Sequence, residues 1–533
     1  MSGLLGSSAL SGPAEIPFTQ IAANELLPLF HVETSNAMAG ASLPVARTLV
    51  IGETDVTQPS GSSLVYVPGP GAAVAMFGPH CILSRTLLAY MANDPAGEVH
   101  AAYLYGPSGT AATGTVTWTG QATAPGTISL YVGGELMTIP VAVNDTGAGL
   151  QTKIVNAFTA ANSGYFSAQP LALGSQPAAG ALTCPVEFQS RIAGLMHNNI
   201  DLRVNYRGAA GGEATPAGLT VSVTPMAGGT GTPSLSGIAA LIGDQNFDFI
   251  VCPYNDPTSL AAMQAMLSDT GGRWADSSQA YGHVFTHISA SAATLLTDGG
   301  TYNNQHITIG GLYGSPTPPW EIAGAFAGWC AQRLKSGAAP AIPLQEGDAL
   351  LGADAVTGYG TNTLILAPQQ TDRFTKVTNE ALAQNGISPF HVDPSGAVRV
   401  WQAVTTYQFN SSGISDRSYL LTQTMYKLMY ILRDLKSFVT QRYSAVSLAD
   451  DTDIVATGSA VVTPAVVRSA LIAHYQQLVD VGVADNLPGF AAGLVVQRNV
   501  TNPNRIDVLY DPYVTGALAV FAVLNQFRLQ AAA

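Results

Sequence analysis

Two copies of the triplet Asp-Thr-Gly, at residues 145–147 and 269–271, are the stretches of this sequence that come nearest to a catalytic motif. Aspartates of this kind share a proton in aspartic proteases, and one of them orients the catalytic histidine in subtilisins. Both chemistries need an aspartate held at the end of an apolar strand. Here Asp145 opens the predicted helix GLQTKIVNAF, and Asp269 follows the predicted helix SLAAMQAML. We therefore interpret both triplets as helix boundaries, with Asp145 or Thr146 as the cap, and expect neither aspartate to be catalytic.

The histidines and cysteines are candidates for a metal site, but their spacing does not favour one. His283 and His287 are four residues apart in a strand-like segment, where they share one face and are expected to pack together or to face solvent. The cysteines lie far apart, form no CxxC pair and are expected to be small buried side chains: Cys81, Cys184, Cys252 and Cys330. The sequence contains no GxSxG, GxxxxGK[ST] or HExxH motif. We expect no catalytic residue, no cofactor and no metal.

The composition indicates a protein whose surface is largely covered. Of 533 residues only 10% are charged and 47% are hydrophobic, and the net charge is −13. Soluble globular proteins carry roughly 25% charged residues. A surface with so few charges is expected when it is buried in an assembly, and a β-rich or secreted protein with an uncharged polar surface is the alternative. Because the chain is acidic and has no cluster of Lys or Arg, we expect no nucleic-acid partner.

The N-terminal stretch MSGLLGSSALSGPAEIPF lacks the basic residues and the long apolar core of a signal peptide. The longest nearly apolar run, at about 517–524, is too short to span a bilayer. We therefore expect a protein that is made and kept in a cytoplasm, without membrane insertion.

Strands and helices alternate on both sides of a β-rich stretch, which predicts an α/β core with a mostly parallel sheet. The runs RTLVIG, VHAAYLY, FDFIVCPY, YGHVFTHIS and HITIGGL predict its strands. Asp256 followed by Pro257 predicts the start of a helix between two of them. Residues 106–236 are rich in Thr, Gly, Ala and Ser, alternate with period two, and hold Gly133-Gly134 at a predicted hairpin turn.

The region after about residue 360 has a different pattern. A helix over 418–443 carries one apolar stripe, a second helix begins at Thr463-Pro464, and two strands follow. The predicted fold class is multidomain α/β and α+β. Its five parts are an extended N-terminal arm (1–35), an α/β core (36–105 with 237–360), an inserted β-rich domain (106–236), an α+β C-terminal domain (361–513) and a C-terminal arm strand (514–533).

Both ends of the chain carry apolar residues with no obvious place in a core. From Leu518 onward the sequence alternates like a strand, which can close its own sheet or complete a neighbour's. The first 35 residues show no helical or strand period and are interrupted by prolines, as in an extended arm that needs a surface to lie on. The candidate contact residues between subunits are Ile16, Phe18, Ile21, Val520, Phe521, Val523, Phe527 and Leu529.

Three stretches together resemble the contractile tail sheath proteins of Mu-like bacteriophages. They are IPFTQIAANELLPLFHVETSNA followed by RTLVIGE, the inserted stretch from GTVTWTG to NDTGAGLQTKIVNAFTA, and the pair VTPAVVRSALIAHYQQL and NRIDVLYDPYVTGALAVFAVLNQFRL. The resemblance implies a core of subtilisin-like shape, here without that protease's histidine and serine motifs, a protruding inserted domain, and a C-terminal domain that faces the tube. It also implies terminal arms that add strands to the sheets of neighbouring subunits.

The function expected from this resemblance is that of a structural sheath subunit. Such subunits form stacked hexameric rings around a tail tube and contract to drive the tube through the host cell envelope during genome delivery. The expected partners are further copies of the chain, the tail tube protein, and the baseplate and tail terminator proteins. The expected location is the virion tail, assembled in the host bacterial cytoplasm. The alternatives are a sheath of a related contractile injection system or bacteriocin, a cryptic hydrolase, and a β-rich adhesin or capsid protein.

Overall fold

A computed structural model describes residues 46–54, 63–79, 81–104, 106–161, 171–173, 183–337, 339–353, 364–453 and 460–528. The chain forms two compact units, one of Ala46–Met429 with the segment that begins at Gly516, the other containing Tyr430–Thr515. None of the helices in these ranges is long and apolar enough to cross a membrane.

The described residues form strands and helices that are numbered here in chain order. The strands are β1 (Arg47–Glu53), β2 (Ser63–Val67), β3 (Glu98–Leu104), β4 (Thr113–Gly120), β5 (Gly126–Val132), β6 (Glu135–Val141), β7 (Leu171–Leu173), β8 (Thr183–Ser190), β9 (Leu202–Val204), β10 (Leu219–Ala227), β11 (Phe249–Val251), β12 (His283–Ile288), β13 (Ile307–Gly311), β14 (Ile387–Val392), β15 (Val398–Val400), β16 (Ser447–Leu448), β17 (Val461–Val462), β18 (Ala484–Asp485), β19 (Val495–Arg498), β20 (Ile506–Leu509) and β21 (Tyr513–Val514). The helices are α1 (Pro70–Phe77), α2 (Ile82–Asn93), α3 (Gly147–Ala161), α4 (Ile238–Ile242), α5 (Pro257–Leu267), α6 (Ala292–Thr301), α7 (Pro319–Lys335), α8 (Lys376–Gln384), α9 (Thr422–Tyr443), α10 (Pro464–Asp480) and α11 (Leu487–Gly493).

The larger unit is built on an eight-stranded sheet in the order β15-β14-β13-β12-β11-β1-β3-β2. Neighbouring strands from β3 to β14 run parallel, whereas β2 and β15 are antiparallel edge strands. This confirms the predicted mostly parallel sheet. Strand β1 is buried along nearly its whole length, as expected for a parallel strand covered on both faces.

Alternate residues of the central strands enter two separate hydrophobic clusters. Val50 packs in a cluster with residues of helices α2 and α7 on one face of the sheet. Leu49 and Ile51 belong to the other cluster, which continues into the inserted region through side chains such as Trp118 and Leu130. This alternation follows from the period-two geometry of a strand. The inserted region therefore shares one continuous buried cluster with the core sheet.

In its described residues, the inserted region contains two small sheets and helix α3. Strands β10, β4, β8 and β7 form one sheet, and β6, β5 and β9 form the other. The turn between β5 and β6 is the predicted glycine pair, with φ of 54° at Gly133 and 86° at Gly134. Positive φ at both central residues is typical of a two-residue hairpin turn, and glycine adopts it without steric cost. The predicted hairpin is thus confirmed.

The core sheet continues beyond residue 360, where the sequence predicted the start of another domain. Ile387 of β14 pairs with Ile309 of β13, and β15 adds antiparallel to β14. The compact unit ends at Met429 instead. The sequence did not predict these two strands, because β15 has only three residues and β14 contains Pro389. Neither therefore has a clear strand signature. Strand β2 and helix α1, close to the first strand, were not predicted either.

In the smaller unit, the part of α9 from Tyr430 onward packs with α10. His474 of α10 places Nε2 2.8 Å from Asp434 Oδ2. The chain closes this unit at β21, which pairs antiparallel with β18. Helix α9 begins at Thr422, four residues later than the predicted start at 418. The predicted helix at Pro464 and the strands β19 and β20 are confirmed.

Candidate assembly site

The C-terminal segment after β21 exposes a dense row of large apolar side chains. Within the described part of the chain, residues 515–528 belong to no helix or strand. The exposed fractions of its large side chains are 71% for Leu518, 77% for Val520, 81% for Phe521, 70% for Val523, 83% for Leu524 and 80% for Phe527. Near the start of the segment, Thr515 N donates a 3.1 Å hydrogen bond to Val483 O, and Gln345 Nε2 donates a 2.7 Å hydrogen bond to Leu518 O.

Such a segment is costly to leave in water. Burying a large apolar side chain contributes about 1.5 to 3 kcal/mol, and contiguous exposed apolar surface typically marks an interaction site. Four of the eight predicted contact residues, Val520, Phe521, Val523 and Phe527, lie in this segment and are exposed. The other four, Ile16, Phe18, Ile21 and Leu529, fall outside the described residues.

An apolar groove in the smaller unit is the complementary feature. It has a volume of about 410 Å³. Helices α9 and α10 and strand β20 supply most of its walls, through Leu435, Val439, Val467, Leu471, Ile506 and Val508. Val439 on α9 and Val508 on β20 are each 41% exposed. The sequence indicated the α9 stripe but not the groove, because the other walls come from α10 and β20, which are distant in the chain.

Strand β20, which lines part of the groove, is a candidate to accept a further strand. Among the described strands, β20 pairs with β19 alone, so no described strand covers its other edge. An open edge presents unpaired N–H and C=O groups to which another strand can add. The hydroxyl of Tyr510 at the groove is buried and has no hydrogen-bond partner within the described ranges. Burial raises the pKa of Tyr510, so this hydroxyl remains a neutral donor.

The two Asp-Thr-Gly aspartates have separate local partners. Asp145 accepts from the backbone N–H of Ala142 and forms an ion pair with Lys153, which lowers its pKa. Thr146 Oγ1 accepts a 3.3 Å hydrogen bond from Gly149 N, so Thr146 is the residue that caps α3. These contacts confirm the first triplet as a helix boundary.

The second triplet lies just beyond the end of α5. Asp269 Oδ1 is 3.0 Å from His306 Nε2, and Asp269 Oδ2 accepts a 2.7 Å hydrogen bond from Gln305 Nε2. The hydrogen bond from His306 lowers the pKa of Asp269. Each aspartate is therefore satisfied by its own surroundings, and neither forms the shared-proton pair of an aspartic protease.

The two predicted histidines are part of the core. His283 is 0% exposed and His287 is 1% exposed, both on β12. His283 Nε2 lies 2.8 Å from Thr308 Oγ1 on the neighbouring strand. Burial lowers the pKa of His287 to about 3, so the ring stays neutral. The described residues contain no group of three or more His, Cys, Asp or Glu side chains that could hold a metal ion. The four cysteines are buried, as predicted, and none is part of a disulfide.

The crevice in which open α/β sheets usually bind ligands is closed in this protein. Such a crevice forms where the strand order reverses, at the carboxyl ends of the two strands on either side of the reversal. In this sheet these strands are β1 and β11, because β3 lies on one side of β1 and the strands from β11 to β14 follow on the other side. Glu53 at the end of β1 is 1% exposed and lies 3.1 Å from Nε2 of His197, a residue of the inserted region that is 0% exposed. Trp320 is also 0% exposed, and the centroid of its ring lies 6.2 Å from the centroid of the His197 ring. The sequence did not single out these residues, although Glu53 ends an apolar strand.

Comparison with known proteins agrees with the sequence resemblance. The family model for the phage tail sheath protein central domain matches residues 228–406. The Mu-like prophage FluMu tail sheath protein of Haemophilus influenzae is 28% identical over 518 residues, which cover 96% of this chain and 100% of that protein.

Solved structures of sheath proteins are also similar to this chain. A sheath tail protein from Listeria innocua is 14% identical, with 90% of this chain and 94% of that chain covered and a TM-score of 0.41. The contracted helical sheath of the anti-feeding prophage is 11% identical, with coverage of 94% and 99% and a TM-score of 0.43. The central part of the chain is therefore similar to the phage tail sheath central domain, and nearly its whole length is similar to a Mu-like prophage tail sheath protein.

Proposed function

We propose that this chain is the structural subunit of a contractile tail sheath that polymerises as stacked hexameric rings around the tail tube. Contraction of the sheath drives the tube through the host cell envelope during genome delivery. The observation that supports this proposal most directly is the C-terminal apolar segment, whose large side chains are 70% to 83% exposed in the single chain. The partners are other copies of the chain, the tube protein, and the baseplate and terminator proteins. The site of action is the virion tail, after assembly in the host cytoplasm.

The C-terminal segment acts as an arm that pairs with a neighbouring subunit. In a strand, Phe521, Val523, Phe527 and Leu529 share one face, so one side of the arm can be buried together. At about 1.5 to 3 kcal/mol for each buried side chain, before the cost of ordering the arm, this contact is strong enough to persist while subunit bodies move. Ile16, Phe18 and Ile21 have the same role at the other end of the chain.

The receiving surface is the groove between α9, α10 and β20 of the neighbour. Backbone groups of the arm pair with the free edge of β20, while the apolar face of the arm fills the groove. In strand addition, backbone hydrogen bonds usually supply the affinity and side-chain pockets the specificity. The Tyr510 hydroxyl would then donate to a carbonyl of the arm. The length of β20 fits a short pairing, since the strand has four residues.

The sheath uses stored interface energy and no catalytic chemistry. The closed crevice at Glu53 and the local pairing of Asp145 and Asp269 support this part of the proposal. We expect alanine substitutions of Asp145, Asp269, His283 or His287 to leave polymerisation intact, with only losses of stability. A hydrolytic activity that one of these substitutions abolishes would contradict this proposal.

Truncation after Thr515 tests the arm directly. Thr515 is the last residue tied to the smaller unit, because its hydroxyl donates to Gly482 O at 2.7 Å. Removing residues 516–533 should leave both units folded by circular dichroism but abolish polymers in negative-stain images and in sedimentation. A finer variant, Phe521→Asn with Phe527→Asn, should have the same effect.

The matched control is Val377→Asn, which changes a side chain that is 79% exposed on α8, an element that is part of neither the arm nor the groove lining. This variant should polymerise like the unmodified chain. Polymers from the truncated chain would exclude the arm as the link between subunits. A truncated chain that fails to fold at low concentration would show that the segment closes its own unit.

A further inference from the structure

The C-terminal arm leaves the smaller unit at a very short strand pairing. Strand β21 (Tyr513–Val514) pairs with β18 (Ala484–Asp485), and each of these strands has only two residues. Strands in stable sheets are usually longer than this, so a ladder of two residues is marginal by itself. Side-chain hydrogen bonds are therefore needed to hold the arm root, residues 513–515, in place.

Tyr475 on α10 supplies such bonds through its hydroxyl. The hydroxyl lies 2.7 Å from Asp485 O and 3.3 Å from Tyr513 O, and it accepts a 2.9 Å hydrogen bond from Tyr513 N. A phenol carries one proton, so the hydroxyl donates to the nearer oxygen, that of Asp485, while it accepts from Tyr513. One hydroxyl thus joins α10 to both strands of the pair.

Thr515 supplies a second hydroxyl directly after β21. Its Oγ1 donates to Gly482 O at 2.7 Å, and its amide donates to Val483 O at 3.1 Å. The hydroxyls of Tyr475 and Thr515 therefore fasten the arm root at its first and last residues.

The ring of Tyr475 connects the arm root to the groove. It stacks on Phe490 of α11, with ring centroids 3.7 Å apart and ring planes 6° apart. Tyr510, which lines the groove, packs edge-on against Phe490 with a centroid distance of 5.0 Å. Tyr475 and Phe490 are 0% and 1% exposed, so this stack is packed like a protein interior and has little room to shift. The stack therefore sets the distance from the arm root to the groove.

We propose that the hydroxyls of Tyr475 and Thr515 form a clasp that fixes the point at which the arm leaves the smaller unit, relative to the groove of that unit. The inference rests on the proposed function, in which the arm binds a neighbour's groove. Heterologous links build a regular polymer only if every copy holds its arm root and its groove in the same relation. A root that is fixed in advance also reduces the cost of ordering the arm on binding. Tyr475 and Thr515 are thus positioning residues for assembly.

Tyr475→Phe tests the clasp, because it keeps the stacked ring and removes only the hydroxyl. Hydrogen exchange is measured on the full-length chain below the concentration at which it polymerises. The root amides, those of Tyr513 and Thr515, should exchange about tenfold faster than in the unmodified chain. The amide of Phe490, bonded to Asn486 O at the start of α11, should exchange at an unchanged rate. Unchanged exchange of the root amides, or equal acceleration at Phe490, would overturn the clasp.

Assembly provides the second measurement. Sedimentation over a concentration series should show that Tyr475→Phe needs an about tenfold higher critical concentration to polymerise. A fluorescently labelled peptide of residues 516–533 should bind this variant and the unmodified chain with equal affinity, because the groove is unaltered. Equal critical concentrations would overturn the positioning role, and so would a weaker affinity of the variant for the peptide.

Failure of the proposed function has a different signature. In that case the peptide binds neither chain and the unmodified chain forms no polymers. Exchange of the root amides still decides whether the clasp exists.

Tyr426→Phe is the matched control. Tyr426 is 5% exposed, stacks on Phe249 with ring centroids 4.8 Å apart, and donates from its hydroxyl to Asp248 O at 3.1 Å. It belongs to the larger unit, so this variant should retain the exchange rates of the root amides and the critical concentration of the unmodified chain. Changes equal to those of Tyr475→Phe would reveal a general effect of removing a buried hydroxyl and would overturn the clasp.

A second variant keeps the test decisive if Tyr475→Phe does not fold. Thr515→Val keeps the shape of the side chain and removes the hydroxyl that donates to Gly482 O. It should accelerate exchange of the Tyr513 amide and raise the critical concentration. A Thr515→Val chain that exchanges and polymerises like the unmodified chain would overturn the clasp.

Discussion

At the scale of single residues, one cluster of buried charges is arranged around Arg85. Its guanidinium is 2% exposed and contacts Glu321 at 2.8 Å on α7 and Glu135 at 3.1 Å in the inserted hairpin. One cation thus neutralises carboxylates from two parts of the chain. Removing one partner of a buried ion pair leaves uncompensated charge, which costs far more than loss of a surface pair.

We expect Arg85→Met to lower the free energy of unfolding by about 3 to 5 kcal/mol, since two carboxylates remain without their cation. Arg505→Met is the control, because Arg505 pairs with Asp507 at 2.5 Å but its side chain is 63% exposed. The control should lose less than about 1 kcal/mol. Urea denaturation of the truncated chain, which is expected not to polymerise, measures the free energy of unfolding of both variants. Equal decreases would mean that the buried ion pairs of Arg85 stabilise the fold no more than an exposed ion pair.

The Glu53 and His197 pair predicts a particular pH dependence of stability. The raised pKa of Glu53, about 8 instead of 4.5, gives stability that is greatest below pH 4.5 and is lost as pH rises to 8. The lowered pKa of His197, about 4 instead of 6.5, gives stability that is greatest above pH 6.5 and is lost as pH falls to 4. The two effects cancel between pH 4.5 and 6.5.

Stability of the larger unit should therefore be level from pH 4.5 to 6.5 and fall by about 2 kcal/mol between pH 6.5 and 8. Urea midpoints measured across this range check the shape of the curve. In Glu53→Gln the alkaline decline should disappear, leaving a rise from pH 4 to 6.5 caused by His197. A decline of the same size in this variant would assign the effect to other groups.

At the scale of elements, helices α2 and α7 pack closely because α7 has glycines where they meet. A Cβ atom at Gly324 would lie 2.4 Å from Thr86 O, and one at Gly328 would lie 2.4 Å from Tyr90 O. Both oxygens belong to the backbone of α2, so neither can rotate away. The two glycines are four residues apart and share one face of α7. They therefore determine how near the two helices approach each other.

We expect Gly328→Ala to destabilise the larger unit by about 1 to 3 kcal/mol, because the helices must separate to admit the methyl group. Gly300→Ala in α6 is the matched control, since a Cβ atom there has nothing within 4 Å. That substitution should be neutral or stabilise by up to about 1 kcal/mol through helix propensity. Thermal unfolding of the two variants side by side distinguishes close packing from a general effect of glycine replacement.

At the scale of the whole molecule, an exposed apolar arm, an open groove and a charge content of only 10% occur in one chain. A subunit with both an arm and a groove can give one link and receive another, which allows unlimited polymerisation. Such links are heterologous and generate rings or helical filaments according to the rotation between copies.

The groove can be tested separately from the arm. Val439→Asp with Val508→Asp places two carboxylates in it at positions that are 41% exposed, so folding should survive while arm binding and polymerisation are lost. Val466→Asp is the matched control, being 45% exposed on α10 but outside the groove lining. Electron microscopy and sedimentation report the outcome. Normal polymers from the double variant would exclude this groove as the receiving surface.

The sequence by itself determined the features that depend on neighbouring residues. Asp256 caps α5 through the amides of Thr258 and Ser259, and the glycine pair turns the β5–β6 hairpin, both as predicted. Turn and cap energies act over a few residues, so they can be read from a short stretch. The apolar ending was visible for the same reason, but its alternation predicted a strand, and residues 515–528 form none in the single chain.

Tertiary structure alone decided the features that depend on distant pairings. Strand β14 joins the sheet through partners about 80 residues earlier, such as Ile309 with Ile387. Glu53 and His197 meet only because the inserted region returns its turn Leu195–Asn199 to the end of β1. The groove exists only where α9, α10 and β20 converge. In each case the contact energy comes from burial between segments far apart in sequence, and no local pattern encodes which segments will meet.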